Sequence, residues 1–547
     1  MNAAVVCLAG LAVFALGYRF YARFLSDRVF QLRADEPVPS RELEDGVDYV
    51  PTKKHVLFGH HYASIAGAAP IIGPAVAVVW GWVPAVLWVV LGTVFMGAVH
   101  DFSTLVMSIR HRGDSVGSIV ADVIGPRTRV LFLLVIFFLV MLVIAVFAKA
   151  IAALFAHQPG TVIPINFEIV VALLIGWWCY KKQRGLFWPS VVSLITLYGM
   201  VWVGYEVPVS IAGIFGEHEQ TAWVVALLIY AFVASTLPVW VLLQPRDYIN
   251  SHQLLVGLGA LIVGLLVAHP TIAAPAFSNG PADAPGWFPF LFVTIACGAI
   301  SGFHGLVSSG TTSKQLACAT DARAIGYGGM LGEGVLALIS TLAVTAGLSG
   351  FGEHYHDFAT AAKSGVVNFV EGASTFLVAL GLPRGPSEVV VSVLVISFAA
   401  TSLDTGARIQ RYILQELGRI YRIHALESRY VAALVAVVLP LALVLGGRAG
   451  QLWQLFGSSN QLLAGLSLTV VTVWLYRTGR PWIYAGIPML AVTCVAGIAM
   501  ASNLARYVET SNYLLATIGA VILALEVWVV LEGVVAMSRQ RALARAE

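Results

Sequence analysis

Charge is scarce in this chain: Asp, Glu, Lys and Arg make up 11% of its 547 residues, against about 25% in soluble domains. With 59% hydrophobic residues and a mean hydropathy of +0.84, no core of this length could bury the apolar chain in water. A soluble fold is excluded. Cysteine is sparse too. Cys7, Cys179, Cys297, Cys318 and Cys494 are scattered without metal-ligand spacing and read as small apolar helix residues. HExxH and paired-cysteine motifs are absent, which leaves no metal constellation for an embedded enzyme. Nothing points to a metal, a cofactor, a nucleic acid or an appended sensor domain.

What is present is a series of apolar runs near the length a helix needs to cross a bilayer, not the alternating short strands of a barrel. They place spans at 3–24, 58–79, 84–109, 130–156, 165–180, 187–205, 221–243, 252–268, 288–309, 325–348, 388–406, 429–446, 458–476, 482–501 and 512–537. The chain reads as an all-α polytopic membrane protein of about 15 transmembrane helices.

Loop charge orients the spans. Alternate loops carry Arg110, Arg112, Arg127 and Arg129; Lys181, Lys182 and Arg184; Arg246; Lys314 and Arg323; Arg408, Arg411, Arg419 and Arg422; Arg477 and Arg480; and Arg539, Arg541 and Arg545. The intervening segments 157–164, 206–220 and 269–287 have no Lys or Arg, and only Lys363, Arg384, Arg448 and Arg506 fall on that side. The positive-inside rule then sets the N-terminus outside and the C-terminus in the cytoplasm. No basic residue precedes the first run while Arg19, Arg23 and Arg28 follow it, so that helix reads as retained rather than cleaved. One exterior segment, 351–387, is long. Its apolar middle, 361–380, reads either as an interfacial surface helix or as a helix over the mouth.

The stretch from His60 to Pro74 is over-punctuated: Gly67, Pro70, Gly73 and Pro74 crowd its middle. Proline removes an amide donor and clashes with the preceding turn, so the helix should open there. Freed backbone groups survive in hydrocarbon only when buried in protein or lining a wet cavity, which makes an opened helix a pointer to a transport site. A kink at a helix contact is the alternative. A second interruption is expected at Ala234-Ser235-Thr236-Leu237-Pro238, five spans later and oppositely directed. That pairing is the pattern of a five-plus-five inverted repeat.

Ionisable residues inside spans are functional candidates by default. Lys149 either snorkels outward or faces the bundle, where it would pair a substrate carboxylate or exchange a proton. His60, His61, His100, Asp101, His304, Ser308, Ser309 and Asp404 lie toward the cytoplasmic third of their helices. Singly each reads as a structural hydrogen bonder; together they read as a pathway for a proton or cation, since histidine titrates near neutrality. Glu333, Glu526 and Glu532 also lie in or near spans, and none is given a role.

Phe58-Gly59-His60-His61-Tyr62-Ala63-Ser64-Ile65-Ala66-Gly67 with Pro70-Ile71-Ile72-Gly73-Pro74 resembles the carbon starvation protein A (CstA) family. So do Gly97-Ala98-Val99-His100-Asp101-Phe102, Leu243-Gln244-Pro245-Arg246-Asp247-Tyr248-Ile249-Asn250, Ser301-Gly302-Phe303-His304 with Ser308-Ser309-Gly310-Thr311-Thr312, and Ala400-Thr401-Ser402-Leu403-Asp404-Thr405. The resemblance implies a bacterial inner-membrane secondary transporter induced when carbon runs low, taking up peptides or, in some members, pyruvate with a proton. It also implies the amino acid–polyamine–cation superfamily fold, whose first and sixth core helices are broken. By that correspondence 58–79 is the first core helix, 221–243 the sixth and 288–309 the eighth. Ser308 and Ser309 would then help form a cation or proton site with the first.

An opened helix offers unpaired amides and a half-helix dipole worth roughly 0.3–2 kcal/mol to an anion before hydrogen bonds are counted. Gly67, Ala68, Ala69, Pro70 and Gly73 leave the backbone approachable, and with Ser235, Thr236 and Lys149 they make up the expected substrate site. The expected mechanism is alternating access driven by protons, with sodium as the other coupling ion and no cofactor. A sodium-coupled amino-acid-type symporter and a channel are the rival readings. The chain divides into 1–57 (first helix and cytoplasmic loop), repeats 58–205 and 206–428, and accessory helices 429–547. Its expected partners are the small-molecule substrate and the lipid bilayer, with a homo-oligomer left open.

Overall fold

The computed structural model describes the backbone of every residue except 47, 183–186, 239, 447–448 and 547, and leaves out the side chains at 179–182, 244, 449–451 and 539–546. Arg184 and Arg448, and the side chains of Cys179, Lys181, Lys182, Arg539, Arg541 and Arg545, therefore lie outside the described residues. In chain order the main helices are α1 (Ala3–Phe30), α2 (Lys54–Ile65), α3 (Ala69–Trp80), α4 (Trp82–Arg110), α5 (Pro126–His157), α6 (Pro159–Trp178), α7 (Phe187–Glu206), α8 (Ala212–Thr236) and α9 (Leu243–Ala268). Then come α10 (Trp287–Thr294), α11 (Gly302–Gly310), α12 (Ala319–Gly347), α13 (Phe358–Val378), α14 (Arg384–Tyr421), α15 (Arg429–Leu445), α16 (Ala449–Arg477), α17 (Ile483–Glu509) and α18 (Tyr513–Ser538).

Eleven of the helices among the described residues are long and apolar enough to cross a membrane, and α2 and α3 reach that length only as a pair, bent by 49° at the break between them. The chain is a multi-pass helical membrane protein. The expected span 288–309 is divided among short helices, 429–446 is the 17-residue α15, and 458–476 falls inside α16.

Loops expected on one side do meet at one end. At the basic end the Ser40 hydroxyl donates to the Leu316 carbonyl at 2.6 Å, Arg110 pairs with Glu36 at 2.6 Å, Arg477 bonds the Asp122 carbonyl at 3.1 Å, and Arg129 pairs with Glu416 at 2.6 Å. At the other end the Ala3 amide bonds Pro270, Trp82 bonds Pro275 and Ala273 bonds Thr345. Asn2 caps α1 there, its side-chain oxygen accepting from the Ala4 amide. Reading from composition misplaced several charges: Arg408 and Arg411, expected in a basic loop, lie on α14, and Arg411 is buried there. Arg246, expected in a basic loop, lies on α9 with no exposed surface, because that helix starts nine residues earlier than its apolar run.

α13 resolves the long exterior segment. Asp357 caps it at 2.7 Å and Asp283 accepts from the next two amides at 2.8 and 3.1 Å. Its buried face carries Phe358, Ala361, Val366, Phe369, Ala373 and Phe376 and packs on α3, α9 and the end of α12. It is a helix laid across the charge-poor end of the bundle, with its apolar face in the core rather than on the surface.

Packing within the bundle comes in matched pairs. The long α5 and α14 cross each other extensively; α8 packs on both, and so does α15. α9 lies along α2 as α16 lies along α11. α13 packs on α14 as the short helix Val116–Val123 packs on α5. α6 and α7 pack on each other and, as a pair, flank α9 and α14.

Candidate functional site

The expected break is present. α2 stops at Ile65, where the chain leaves the helical region at Ala66 (φ −74°, ψ 76°), and α3 starts at Ala69 with Pro70 in its first turn and Pro74 inside. The Gly67 amide turns back onto the Ile65 carbonyl at 2.9 Å, and the amides of Ala68 and Ala69 carry no hydrogen bond among the described residues. Phe147 of α5 and Ser402 of α14 fold over Gly67, and Ser402 donates to the Ser64 carbonyl at 3.4 Å. The Ile71 carbonyl accepts from Ser340 at 2.6 Å and the Ala75 carbonyl from Tyr355 at 2.7 Å. Carbonyls on both sides of the break are thus met by side chains from other elements, as suits polar groups buried in an apolar bundle.

A second break faces the first, and it is not the expected one. α8 does end at Thr236, before Pro238, but Ser235 and Thr236 only bond their own helix, and α8 packs on α5, α14 and α15. The helix that crosses α2 and α3 is α10–α11. It is interrupted at Ile300 and Ser301, both extended, between Ala296–Ala299 and Gly302. No proline marks this opening; a neighbouring helix makes it. Asn460 of α16 accepts from the Phe303 amide at 3.0 Å, capping α11, and Thr93 of α4 donates to the Gly298 carbonyl at 3.0 Å. Gly73 lies so close to the Thr294 carbonyl that an added Cβ would overlap it, Pro74 lies beside Gly298, and His61 bonds Thr312 at 2.9 Å. That antiparallel register brings the two breaks to one level. Gly73 serves close helix approach here, rather than access for a ligand.

Two sealed ionic clusters flank α2. In the first, Asp101 of α4 takes His100 Nδ1 at 2.8 Å and His304 Nδ1 at 3.0 Å, while His304 Nε2 lies 3.1 Å from Glu333 of α12. All four side chains are buried. In the second, Arg246 pairs with Asp404 of α14 and lies 3.3 Å from Glu168 of α6. The Tyr230 hydroxyl donates to Asp404 at 2.7 Å, and Ser397 donates to Glu168 at 2.7 Å. His60 lies 2.8 Å from Asp247, next to Arg246. Adjacent residues on a helix point about 100° apart, so His60 serves the second cluster while His61 faces the first.

The structure therefore brings together His100, Asp101 and His304, and separates them from Asp404. Ser309 is occupied structurally, donating to the Gly305 carbonyl at 2.6 Å and accepting from the Val116 amide at 3.0 Å; the Ser308 hydroxyl is buried with no hydrogen-bond partner among the described residues. Lys149 is half-buried on α5, half a turn beyond Phe147, with Lys363 of α13 as its charged neighbour. Sequence reading left Glu333 without a role and missed Glu168, Tyr230, Asp247 and Asn460. Only the acids inside apolar runs, Glu168 and Glu333, gave a signal. Among the described residues no three His, Cys, Asp or Glu side chains converge as metal ligands do.

Two interrupted helices crossing at their openings, with ionisable groups sealed around them, define a polytopic membrane protein built around a polar, backbone-lined centre. The chain matches the family described as carbon starvation protein CstA over residues 2–351 and 350–499, and it belongs to that family. It is 36% identical to the "Peptide transporter CstA" of Mycobacterium tuberculosis strain H37Rv, over 91% of this chain and 75% of that one. To the Bacillus subtilis protein of the same name the identity is 34%, over 86% and 85%. To the "Pyruvate/proton symporter BtsT" of Escherichia coli K12 it is 31%, over 88% and 79%. By family the chain is a membrane transporter rather than an enzyme.

Proposed function

We propose that the chain imports a small carboxylate-bearing nutrient, a peptide or pyruvate, across the bacterial inner membrane during carbon starvation, by proton-driven alternating access. The observation that carries this reading is the meeting of two helix breaks at one level beside a buried Asp101–His304 contact. An anion at mid-membrane needs compensation, because a bare charge there is costly. The free amides of Ala68 and Ala69 at the start of α3 supply it, with Gly67 and Pro70 shaping the turn and Phe147 and Ser402 as walls. Lys149 and Lys363, on the charge-poor side, would draw the carboxylate toward the break. Ser235 and Thr236 fall outside this site.

The basic end then faces the cytoplasm and the N-terminus the periplasm. The matched packing supports an inverted repeat divided differently from 58–205 and 206–428. One half is α2–α5 with α8 and α9, the other α10–α12 with α14–α16, and α6 and α7 are an inserted pair. Proton coupling falls to His100, Asp101 and His304, while His60, His61, Ser308 and Asp404 join α2 and its neighbours on the cytoplasmic side. The relative named as a pyruvate/proton symporter supports the proton over sodium.

In proteoliposomes holding the purified protein, an inward proton gradient should drive accumulation of labelled pyruvate or dialanine. Accumulation driven equally well by sodium at constant pH would transfer the coupling to sodium. Steep flux without accumulation would mark a channel.

A further inference from the structure

We propose that Glu333 is the group that carries the coupling proton, with His304 as its fixed counter-charge and Asp101 as the acid that holds His304 in place; this rests on the proton-coupled reading above and assigns its site. The argument is one of proton counting. His304 places one ring nitrogen 3.0 Å from Asp101 Oδ2 and the other 3.1 Å from Glu333 Oε2. A neutral imidazole has one N–H and one lone pair. One of those two contacts would then set a lone pair against a carboxylate, so a second proton must sit in the pair of contacts. It is held either on the ring or on a carboxyl, and both arrangements leave the three groups with a net charge of −1.

That charge is sealed away from water. Glu333, Asp101, His304 and His100 are fully buried, and a lone buried charge is destabilising by several kcal/mol. One more proton makes the group neutral. Where it lands follows from the hydrogen bonds. Asp101 has both oxygens engaged, Oδ1 by His100 and Oδ2 by His304. Glu333 Oε1 has no partner among the described residues, and Oε2 has only the off-line contact with His304 Nε2. The acid with unmet capacity takes the proton: Glu333 carboxylate becomes a carboxylic acid, and on release the proton leaves its O–H bond for water in the opened pathway.

Among the described residues no strong charge beyond this cluster faces Glu333. The ionisable groups facing Glu333 are His304 on α11, Asp101 and His100 on α4, Tyr62 and His61 on α2, and Cys297 in Ala296–Ala299. Three of these elements belong to the interrupted helices. The Tyr62 hydroxyl donates to the Gly332 carbonyl at 2.8 Å, next to Glu333, and the His61 ring lies against Gly329. The charge state of Glu333 is therefore felt directly by both halves of the proposed substrate site.

The test uses the full-length protein in proteoliposomes. With one proton per pyruvate, a gradient of one pH unit should support about tenfold accumulation by the wild type. Glu333→Gln, locked in the neutral form, should lose that accumulation while still exchanging labelled for unlabelled pyruvate. Accumulation by Glu333→Gln equal to wild type would overturn the proposal. Absence of both accumulation and exchange in the wild type, with pyruvate and with dialanine, would instead sink the transport reading itself. Should Glu333→Gln not fold, dicyclohexylcarbodiimide labelling of the wild type decides, since the reagent adds to protonated carboxyls in apolar surroundings. Labelling mapped to Glu333 that declines as pH rises supports the assignment, and a Glu333 left unlabelled at acid pH while other carboxyls react refutes it.

Discussion

Arg246 has no exposed surface and is shared among Asp404, Glu168 and the Tyr230 hydroxyl, from three different helices. A planar guanidinium can reach all three at once, and a lysine ammonium cannot. Arg246→Ala leaves two buried carboxylates without a cation, a loss expected to cost about 3–5 kcal/mol. Unfolding midpoints in detergent should fall accordingly, and Arg246→Lys should not restore them. An unchanged midpoint would mean that water, rather than Arg246, satisfies the acids. Nothing in a hydropathy window reveals this residue. Its charge shortens the apolar run and so places it in a loop, whereas the helix continues because partners from α6, α8 and α14 neutralise it.

At the scale of the element, the two breaks have different origins. The first is written locally: Pro70 and Pro74 withhold amides and Ala66 leaves the helix. The second has no such mark, and its extended residues are held by the Asn460 cap from α16 and by Thr93 from α4. A proline-based search accordingly found Pro238, where α8 does end, but that end lies apart from the first break. Gly73 is what permits the crossing. Gly73→Ala would push the Thr294 carbonyl away, an overpacking expected to cost about 1–3 kcal/mol. Uptake and the substrate-induced thermal shift should both vanish in this variant, and a retained thermal shift would show that the crossing does not shape the site.

For the molecule as a whole, alternating access requires the charge-poor end to open. In the structure α13 packs on α3, with Gly365 seated against Val76 and Ile72. Cysteines introduced together at Val76 and Gly365 should cross-link on oxidation, abolish uptake and recover it on reduction. Full uptake after complete cross-linking would require the substrate to enter elsewhere.

Composition and loop charge were enough to establish a multi-pass helical bundle, the ends at which its loops gather, and one opened helix. Those properties follow from short-range physics: the cost of exposing polar groups to hydrocarbon, the asymmetry of basic loops, and the missing amides of proline. The family motifs carried the transporter class. Which break faces the first, which acids share a histidine and where Arg246 lies depend on side chains hundreds of residues apart, such as His304 with Asp101 and Arg246 with Asp404. A buried charge is tolerated only beside its partner, and that proximity comes from packing, so the polar centre becomes legible once the helices are assembled.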